Sequence, residues 1–146
     1  MIIRPATFAD IPAWHGLRVA LWPDYAPSYL DEELRDILAH PERAAAFLAV
    51  ADDGKLIGFS EASIRRCADG CETQDVGYLE GWYVEAAYRR QGVGRQLVMA
   101  AEQWARERGC KEMASDCLLN NAVSERAHGS LGYQETERLI HFKKSL

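Results

Sequence analysis

The chain reads Arg89-Arg90-Gln91-Gly92-Val93-Gly94-Arg95 between a strand-forming stretch and a stretch with helical periodicity. The strand-forming stretch covers residues 78–84, and the later apolar residues recur at helical spacing, at Leu97, Val98, Ala101, Trp104 and Ala105. A basic, glycine-containing turn that opens a helix presents free backbone N–H groups at the positive end of the helix dipole. Gly92 and Gly94 let a ligand approach that backbone closely. The stretch therefore predicts an anion site suited to a pyrophosphate.

Length and composition limit the number of domains and the classes of partner to expect. With 146 residues, of which 48% are hydrophobic, the chain can bury a sizeable core, and we expect a single domain over residues 1–146. No apolar run approaches the roughly 20 residues that span a bilayer, and the first residues do not resemble a signal peptide. The net charge of −5 disfavours nucleic acid as a partner. We expect a soluble, cytoplasmic protein that binds neither a membrane nor nucleic acid.

The cysteines indicate no special chemistry. They show no Cys-x-x-Cys spacing and no nearby histidine partner, so we expect no metal site at Cys67, Cys71, Cys110 or Cys117. Cys67 and Cys71 flank a turn and could be oxidised in vitro, but free thiols in a reducing compartment are the simpler interpretation.

Periodicity and turn residues predict a mixed α/β domain built around one sheet. Thr7 and Asp10 are typical of a helix start, and Pro23 and Pro27 are expected to end this helix in an aromatic loop over 22–29. The tail is expected to form two short strands, with Ile140 and Phe142 on one face. The predicted elements are strands at 2–4, 46–51, 56–64, 77–84 and 113–117, helices at 7–21, 31–39, 93–108 and 122–131, and the two strands within 133–144.

The motif and its setting resemble the GNAT superfamily of N-acetyltransferases. Residues 89–94 match the family signature Arg/Gln-x-x-Gly-x-Gly/Ala for acetyl-coenzyme A, and they fall after the fourth strand and open the third helix. Asn121 and the stretch 128–133 resemble the family's second motif. The segments 17–23, 79–81, 112–116 and 131–137 are similar to aminoglycoside 6′-N-acetyltransferases of type I. The resemblance implies the GNAT fold, a mixed central β-sheet flanked by helices.

The resemblance also assigns a binding site for acetyl-coenzyme A as the cosubstrate. Backbone groups of Trp82, Tyr83 and Val84 would pair with the pantetheine arm like an added strand, and Asn121 would bind the pantetheine end. The pyrophosphate would lie in the cradle formed by Arg90, Gln91, Gly92, Val93, Gly94 and Arg95. This assignment agrees with the physical account, because main-chain N–H donors at a helix N-terminus suit two phosphates.

By the same resemblance, four side chains line the acceptor pocket: Trp22, Glu80, Asp116 and Glu137. Carboxylates from separate segments suit a polycation, and an aromatic face adds cation–π attraction. Each acid alone is more often a solvated surface charge. Glu80 differs, since it sits in an otherwise apolar strand where an unpaired charge is costly. Glu135 competes with Glu137, because strand alternation would place both on one face.

An amine and a thioester can react directly once they are aligned, so positioning of the two groups is expected to supply much of the rate. Asp116 or Glu80 is expected to accept the proton of the attacking amine, directly or through a water. A backbone N–H near Val84 would polarise the thioester carbonyl. His128 stands where many family members have a tyrosine that protonates the departing thiolate. It could donate that proton or be an ordinary histidine on a helix surface.

Three functions remain open from the sequence. The leading one is transfer of acetyl to the 6′-amine of aminoglycoside antibiotics, conferring resistance. The alternative keeps the coenzyme but acetylates a polyamine, another small amine or a protein amino group, and the loop at Arg66-Cys67-Ala68-Asp69 favours it because it lacks an aromatic residue found in the subfamily. A non-enzymatic acyl-coenzyme A-binding module is the third. The resemblance further implies a homodimer, to which the loop 22–29 and the apolar tail could contribute.

Overall fold

A computed structural model describes residues 1–146. Its five strands form one sheet in the order β1-β2-β3-β4-β5. The strands are β1 (Ile2–Pro5), β2 (Ala44–Val50), β3 (Leu56–Arg65), β4 (Val76–Val84) and β5 (Met113–Ser115), and the helices are α1 (Ile11–Leu21), α2 (Pro27–Ala39), α3 (Val93–Glu107) and α4 (Ala122–Ser130). The predicted class, a mixed sheet flanked by helices, is confirmed.

The pairing of β4 with β5 leaves half of β4 open. The first four strands are antiparallel neighbours, whereas β5 runs parallel to β4. Their register extends only from Gly77 opposite Met113 to Leu79 opposite Ser115. Residues 80–84 therefore have no strand on that side, and β5 is shorter than the predicted 113–117. The exposed backbone of β4 is free to pair with an extended ligand.

Helices cover both faces of the sheet. On one face, α1 and α2 bury an apolar cluster around Trp14, Leu34 and Phe59. On the other, α3 buries Leu97 and Val98 against the strands. Burying each such side chain stabilises the fold by roughly 1.5–3 kcal/mol. None of the helices combines the length and the hydrophobicity needed to cross a bilayer.

A β-bulge between β3 and β4 sets the direction of the side chains near the site. Glu61 pairs with Gly81 and the next residue, Ala62, pairs with Leu79, so Glu80 is the extra residue. A bulge reverses the usual alternation of side chains at one position. Glu80 and Gly81 consequently both face the α1 side, whereas Trp82 faces α3, where its indole contacts Gly94.

The boundary between the loop at 22–29 and the second helix differs from the sequence prediction. The helix predicted at 31–39 begins at Pro27, because proline at the first helical position needs no N–H partner and has a helical φ. Pro27 thus starts a helix and does not extend the loop, which shrinks to residues 22–26.

The tail holds no strand, although two were predicted within 133–144. A strand exists only where its backbone groups find partners, and the tail pairs with no strand of the sheet. Ile140 and Phe142 are 78% and 91% exposed. The alternation argument that placed Glu135 and Glu137 on one strand face therefore also fails.

Candidate functional site

The turn before α3 presents unbonded N–H groups. Gly92 precedes the helix with φ +81°, a left-handed conformation that favours glycine. The first N–H bonded along the helix is that of Gln96, which donates to the carbonyl of Gly92 at 3.1 Å. The N–H groups of residues 93–95 have no carbonyl in the helix to bond, as in any first helical turn. An anion placed there meets these donors and the positive end of the helix dipole.

Neighbouring side chains fix the turn and leave one arginine free. Arg89 donates to the carbonyl of Val84 at 2.8 Å, and the Gln91 amide donates to that of Ala87 at 3.0 Å. Arg95 donates to the carbonyl of Ser130 at 3.2 Å. The side chain of Arg90 is exposed and forms no hydrogen bond or ion pair, so it is available to an anion.

Gly94 has a different role from the one expected. We predicted that its missing side chain admits a ligand, but the indole of Trp82 fills that space. A Cβ at residue 94 would lie 2.8 Å from Cζ2 of Trp82. Gly94 therefore allows the first turn of α3 to pack on β4, which holds the N–H groups beside the open strand edge.

Asn121 begins α4. Its amide oxygen accepts a hydrogen bond from the N–H of Ser124 at 3.1 Å and caps the helix. The amide nitrogen has no partner within the protein and remains free to donate. Asn121 can thus serve both the helix and a ligand lying along β4.

His128 is held at both ring nitrogens. Its Nδ1 lies 2.8 Å from the carbonyl oxygen of Ser124, so Nδ1 carries a proton, since a carbonyl only accepts. Its Nε2 lies 2.8 Å from the hydroxyl of Ser115, which is also 3.2 Å from the carbonyl of Leu79. Ser115 can donate to a neutral His128, or accept from a charged one while donating to Leu79. The network therefore accommodates both protonation states of the ring.

On the opposite face, Trp22 lies against β4. It is half-buried, and its indole packs over Gly81, with Phe59 at a ring separation of 6.1 Å. The guanidinium of Arg18 lies 4.8 Å from the indole centroid. The position of Trp22 is therefore set by the core below it.

Arg18 and Glu61 form a buried ion pair under Trp22. Both residues are almost fully buried, and Nε of Arg18 lies 3.0 Å from Oε1 of Glu61. Arg18 also bonds the carbonyl of Leu30 and the carboxylate of Glu33, each at 2.8 Å. Burial raises the pKa of Glu61 to about 7 despite the neighbouring guanidinium. Neither residue was predicted to be part of the site, although Arg18 follows Trp14 and Leu17 at helical spacing, which is a usable sign of burial.

Glu80 is neither buried nor unpaired, although it belongs to an otherwise apolar strand. The bulge turns its side chain to an exposed position, where both carboxylate oxygens accept hydrogen bonds from Arg65. Ser63 donates to the same carboxylate. Arg65 was not recognised from the sequence, because its contact with Glu80 depends on the pairing of β3 with β4.

An acidic cavity of about 760 Å³ lies between β5, α4, the tail and the loop before β4. Among the predicted residues it gathers Asp116, His128 and Glu137, whereas Trp22 and Glu80 lie outside its lining. Arg138 is the only lysine or arginine there. The cavity is lined by seven carboxylates, from Asp69, Glu102, Glu112, Asp116, Glu125, Glu135 and Glu137. Such a cavity attracts a molecule with several positive charges.

The carboxylates differ in how they are already used. Glu135 pairs with Arg138, and Glu112 accepts hydrogen bonds from the loop at Glu72 and Thr73. Asp116 and Glu137 are exposed and have no ion pair. No three His, Cys, Asp or Glu side chains are grouped so as to hold a metal ion.

Comparison with known proteins decides the family. The profile of the acetyltransferase (GNAT) family matches residues 14–133. The chain belongs to the GNAT family. Within this family it is similar to an aminoglycoside N(6′)-acetyltransferase type 1 from Stenotrophomonas maltophilia, at 46% identity over 145 residues, which cover 99% of the chain and 93% of the relative.

Two solved GNAT structures are similar over their whole length. One is AAC(6′)-Iy in complex with the bisubstrate analogue CoA-S-monomethyl-acetylneamine, with a TM-score of 0.94 and 38% identity, covering 99% of this chain and 98% of that one. The other is the apo aminoglycoside 6′-N-acetyltransferase AAC(6′)-IG from Acinetobacter haemolyticus, with a TM-score of 0.93 and 41% identity, covering 100% and 99%.

Proposed function

We propose that this GNAT protein transfers the acetyl group of acetyl-coenzyme A to the 6′-amine of aminoglycosides, conferring resistance to them. The observation that carries the proposal is the acidic cavity between β5 and α4, whose lining includes His128, and the His128 ring lies 5.6 Å from the Trp82 ring on the open half of β4. An aminoglycoside carries several ammonium groups, and the carboxylates that have no ion pair, such as those of Asp116 and Glu137, offer it charge-assisted hydrogen bonds. The type 1 relatives are named for this reaction.

The coenzyme is proposed to lie along the open half of β4 and over the N-terminus of α3. Backbone groups of Trp82, Tyr83 and Val84 have no strand partner on that side and can pair with an extended pantetheine arm. The N–H groups of residues 93–95, with the free guanidinium of Arg90, fit the pyrophosphate. The free amide of Asn121 can bind the pantetheine end. Bound acetyl-coenzyme A supplies the thioester that the amine attacks, with breakage of its C–S bond.

Three residues are proposed to handle protons in the transfer: Asp116, Glu80 and His128. Asp116 is exposed and forms no ion pair, so it can take a proton from the attacking amine. Glu80 can assist through its remaining lone pair or through a water. Because both ring nitrogens of His128 contact protein groups, it can return a proton to the thiolate through the Ser115 hydroxyl, which accepts from Nε2 as it donates onward. The first link to test is Asp116, since it faces the cavity directly.

Trp22 and Glu137 are proposed to bind the acceptor. The indole of Trp22 offers an aromatic face for a sugar ring and cation–π attraction for an ammonium. Glu137 contributes an unpaired carboxylate from the tail. A linear polyamine is the competing acceptor, favoured by Asp69, Gly70 and Cys71, which line the cavity without an aromatic ring.

A direct assay separates the two acceptors. Free thiol release is measured with acetyl-coenzyme A and either kanamycin or spermidine, and kcat/KM values are compared. A kcat/KM for kanamycin at least about 100-fold above that for spermidine supports the antibiotic as substrate. The reverse order would replace it with a polyamine.

We further propose that two copies associate through the tail. Leu139, Ile140 and Phe142 are exposed although they are large and apolar, and the backbone of the tail has no strand partner. The outer edge of β5 is also open. A second copy could pair with this backbone and bury these side chains in a symmetric interface. A cytoplasmic location is proposed because the reaction consumes acetyl-coenzyme A made in that compartment.

A further inference from the structure

Arg65 holds both carboxylate oxygens of Glu80. Its Nε donates to Oε1 at 2.9 Å and its Nη2 donates to Oε2 at 2.7 Å. The hydroxyl of Ser63 donates to Oε1 as well. This two-point ion pair fixes the plane of the carboxylate and uses three of its roughly four lone-pair positions. One position on Oε2 remains to accept a hydrogen bond from another molecule.

The guanidinium of Arg65 is itself fixed by Tyr78. Its Cζ lies 3.4 Å from the centroid of the phenol ring. A guanidinium that stacks on an aromatic ring and donates two hydrogen bonds to one carboxylate is held in one orientation. Burial, with the charge of Asp116, raises the pKa of Tyr78 to about 12, so the phenol keeps its proton. The protein therefore places one ordered cation beside its acceptor region.

Titratable groups from the neighbouring elements lie near this cation. Glu80 and Tyr78 of β4, together with Asp116 after β5, raise the pKa of Arg65. The charge of Glu80 contributes to the raised pKa of Glu61 on β3, whose carboxylate is paired with Arg18 of α1. Removing Arg65 would leave Glu80 and Asp116 side by side without a fixed cation between them. Acceptor nitrogens near Glu80 would then be held more firmly as ammonium.

We propose that Arg65 is a positioning residue for the attacking amine: it orients Glu80 and favours the neutral amine over the ammonium at the reacting nitrogen. This inference rests on the proposed function, since it places an acceptor amine at Glu80. Only the neutral nitrogen has a lone pair to form the bond to the acetyl carbon, and its proton passes to a carboxylate or to water. A fixed cation nearby lowers the pKa of the bound ammonium. The other carboxylates gather the polycation, whereas Arg65 prepares one nitrogen to react.

The test compares two substitutions at Arg65 with one at its neighbour. Arg65→Gln removes the charge, and we expect the acid limb of the kcat profile to move up by about one pH unit, with kcat near neutral pH lowered about tenfold. Arg65→Lys keeps the charge but cannot form the two-point hydrogen bond with Glu80. The acid limb of its kcat profile should therefore stay in place while kcat falls several-fold. Arg66→Gln is the matched control, because Arg66 is exposed and has no ion pair.

The profile of kcat is the readout because it reports groups in the bound complex. Because the side chain of Arg65 is 44% exposed, the variants should fold. Their melting temperatures and their affinities for acetyl-coenzyme A check this. Arg65→Met is a second uncharged variant. An active wild type with an unmoved acid limb in both uncharged variants overturns the inference and leaves the proposed function standing. A lowered KM with an unmoved limb overturns it too, since Arg65 would then merely compete with the acceptor. An inactive wild type rejects the proposed function itself.

Discussion

The indole of Trp22 lies so close to Gly81 that no side chain fits between them. A Cβ at residue 81 would lie 2.5 Å from Cη2 of Trp22 and 3.0 Å from Cζ2. The guanidinium of Arg18 is 4.8 Å from the indole centroid, so the ring has contacts on more than one side. Gly81 directly follows Glu80 in the bulge. The contact therefore links the aromatic face proposed for the acceptor to the strand that carries Glu80.

Gly81→Ala should impair acceptor binding without affecting the coenzyme. The new methyl group displaces the indole, because the backbone on the other side is held in the sheet. We expect the KM for the aminoglycoside to rise about tenfold, because one aromatic contact with the acceptor is lost. The Kd of acetyl-coenzyme A should be unchanged. Gly16→Ala is the control, since nothing lies within 4 Å of a Cβ there. An unchanged KM in Gly81→Ala would contradict a role for Trp22 in binding.

Gly94→Ala should have the opposite pattern. A Cβ at residue 94 would press on the indole of Trp82 and shift the first turn of α3, whose N–H groups are proposed to bind the pyrophosphate. We expect acetyl-coenzyme A affinity, measured by calorimetry, to fall about tenfold, or roughly 1.4 kcal/mol. The KM for the acceptor should change little. A variant that binds the coenzyme normally would show that this packing does not position the cradle.

Glu61 should make the protein less stable as the pH rises toward neutrality. Burial raises its folded-state pKa from 4.5 to about 7. Between these values the unfolded chain releases this proton while the folded protein retains it. The stability that the bound proton confers is therefore fully present below the pKa of Glu61 in the unfolded chain. It is lost as the pH rises to the pKa of Glu61 in the folded protein. The loss is about 1 kcal/mol per pH unit.

Urea unfolding of the wild type and Glu61→Gln over this range tests the effect. The glutamine variant should lack this part of the slope, because its side chain does not titrate. Asp10 changes stability with pH in the opposite sense, because Arg4 lowers the pKa of its carboxyl below the ordinary value of 3.8. Its effect is therefore confined to pH values below this range. Equal slopes in both proteins would show that Glu61 is ionised throughout the range.

The tail should carry the contacts of a dimer. Ile140 and Phe142 are 78% and 91% exposed, and an interface that buries them would be broken by charges. We expect Ile140→Asp with Phe142→Asp to give a monomer in sedimentation experiments, whereas the wild type sediments as a dimer. Phe8→Asp is the control, because Phe8 is 60% exposed and lies outside the tail. A monomeric wild type would remove the homodimer proposal.

Local signals predicted the elements whose structure depends on nearby residues. The turn at 89–95 opens α3 as expected, and Gly109 and Gly132 follow the ends of α3 and α4 in left-handed conformations. The hydrophobic periods likewise identified the strands of the sheet. Pro27 was misread because proline ends one helix and starts the next with the same geometry.

Features that depend on pairing between distant residues could not be predicted in this way. The bulge that turns Glu80 toward Arg65 is a property of how β3 and β4 register, and no single segment encodes it. The pair of Arg18 and Glu61 joins a helix to a strand far along the chain. The tail strands failed for the same reason, since alternating residues form a strand only when a neighbouring edge exists.

The most direct test of the central proposal is the position and rate of acetyl transfer. The purified protein is incubated with acetyl-coenzyme A and kanamycin, thiol release is followed, and the product is located by NMR, with Asp116→Asn as the comparison. We expect one acetyl group on the 6′-nitrogen, and kcat/KM lower by about 100-fold in the variant. A wild type that binds acetyl-coenzyme A but leaves the 6′-amine unmodified would contradict the proposal.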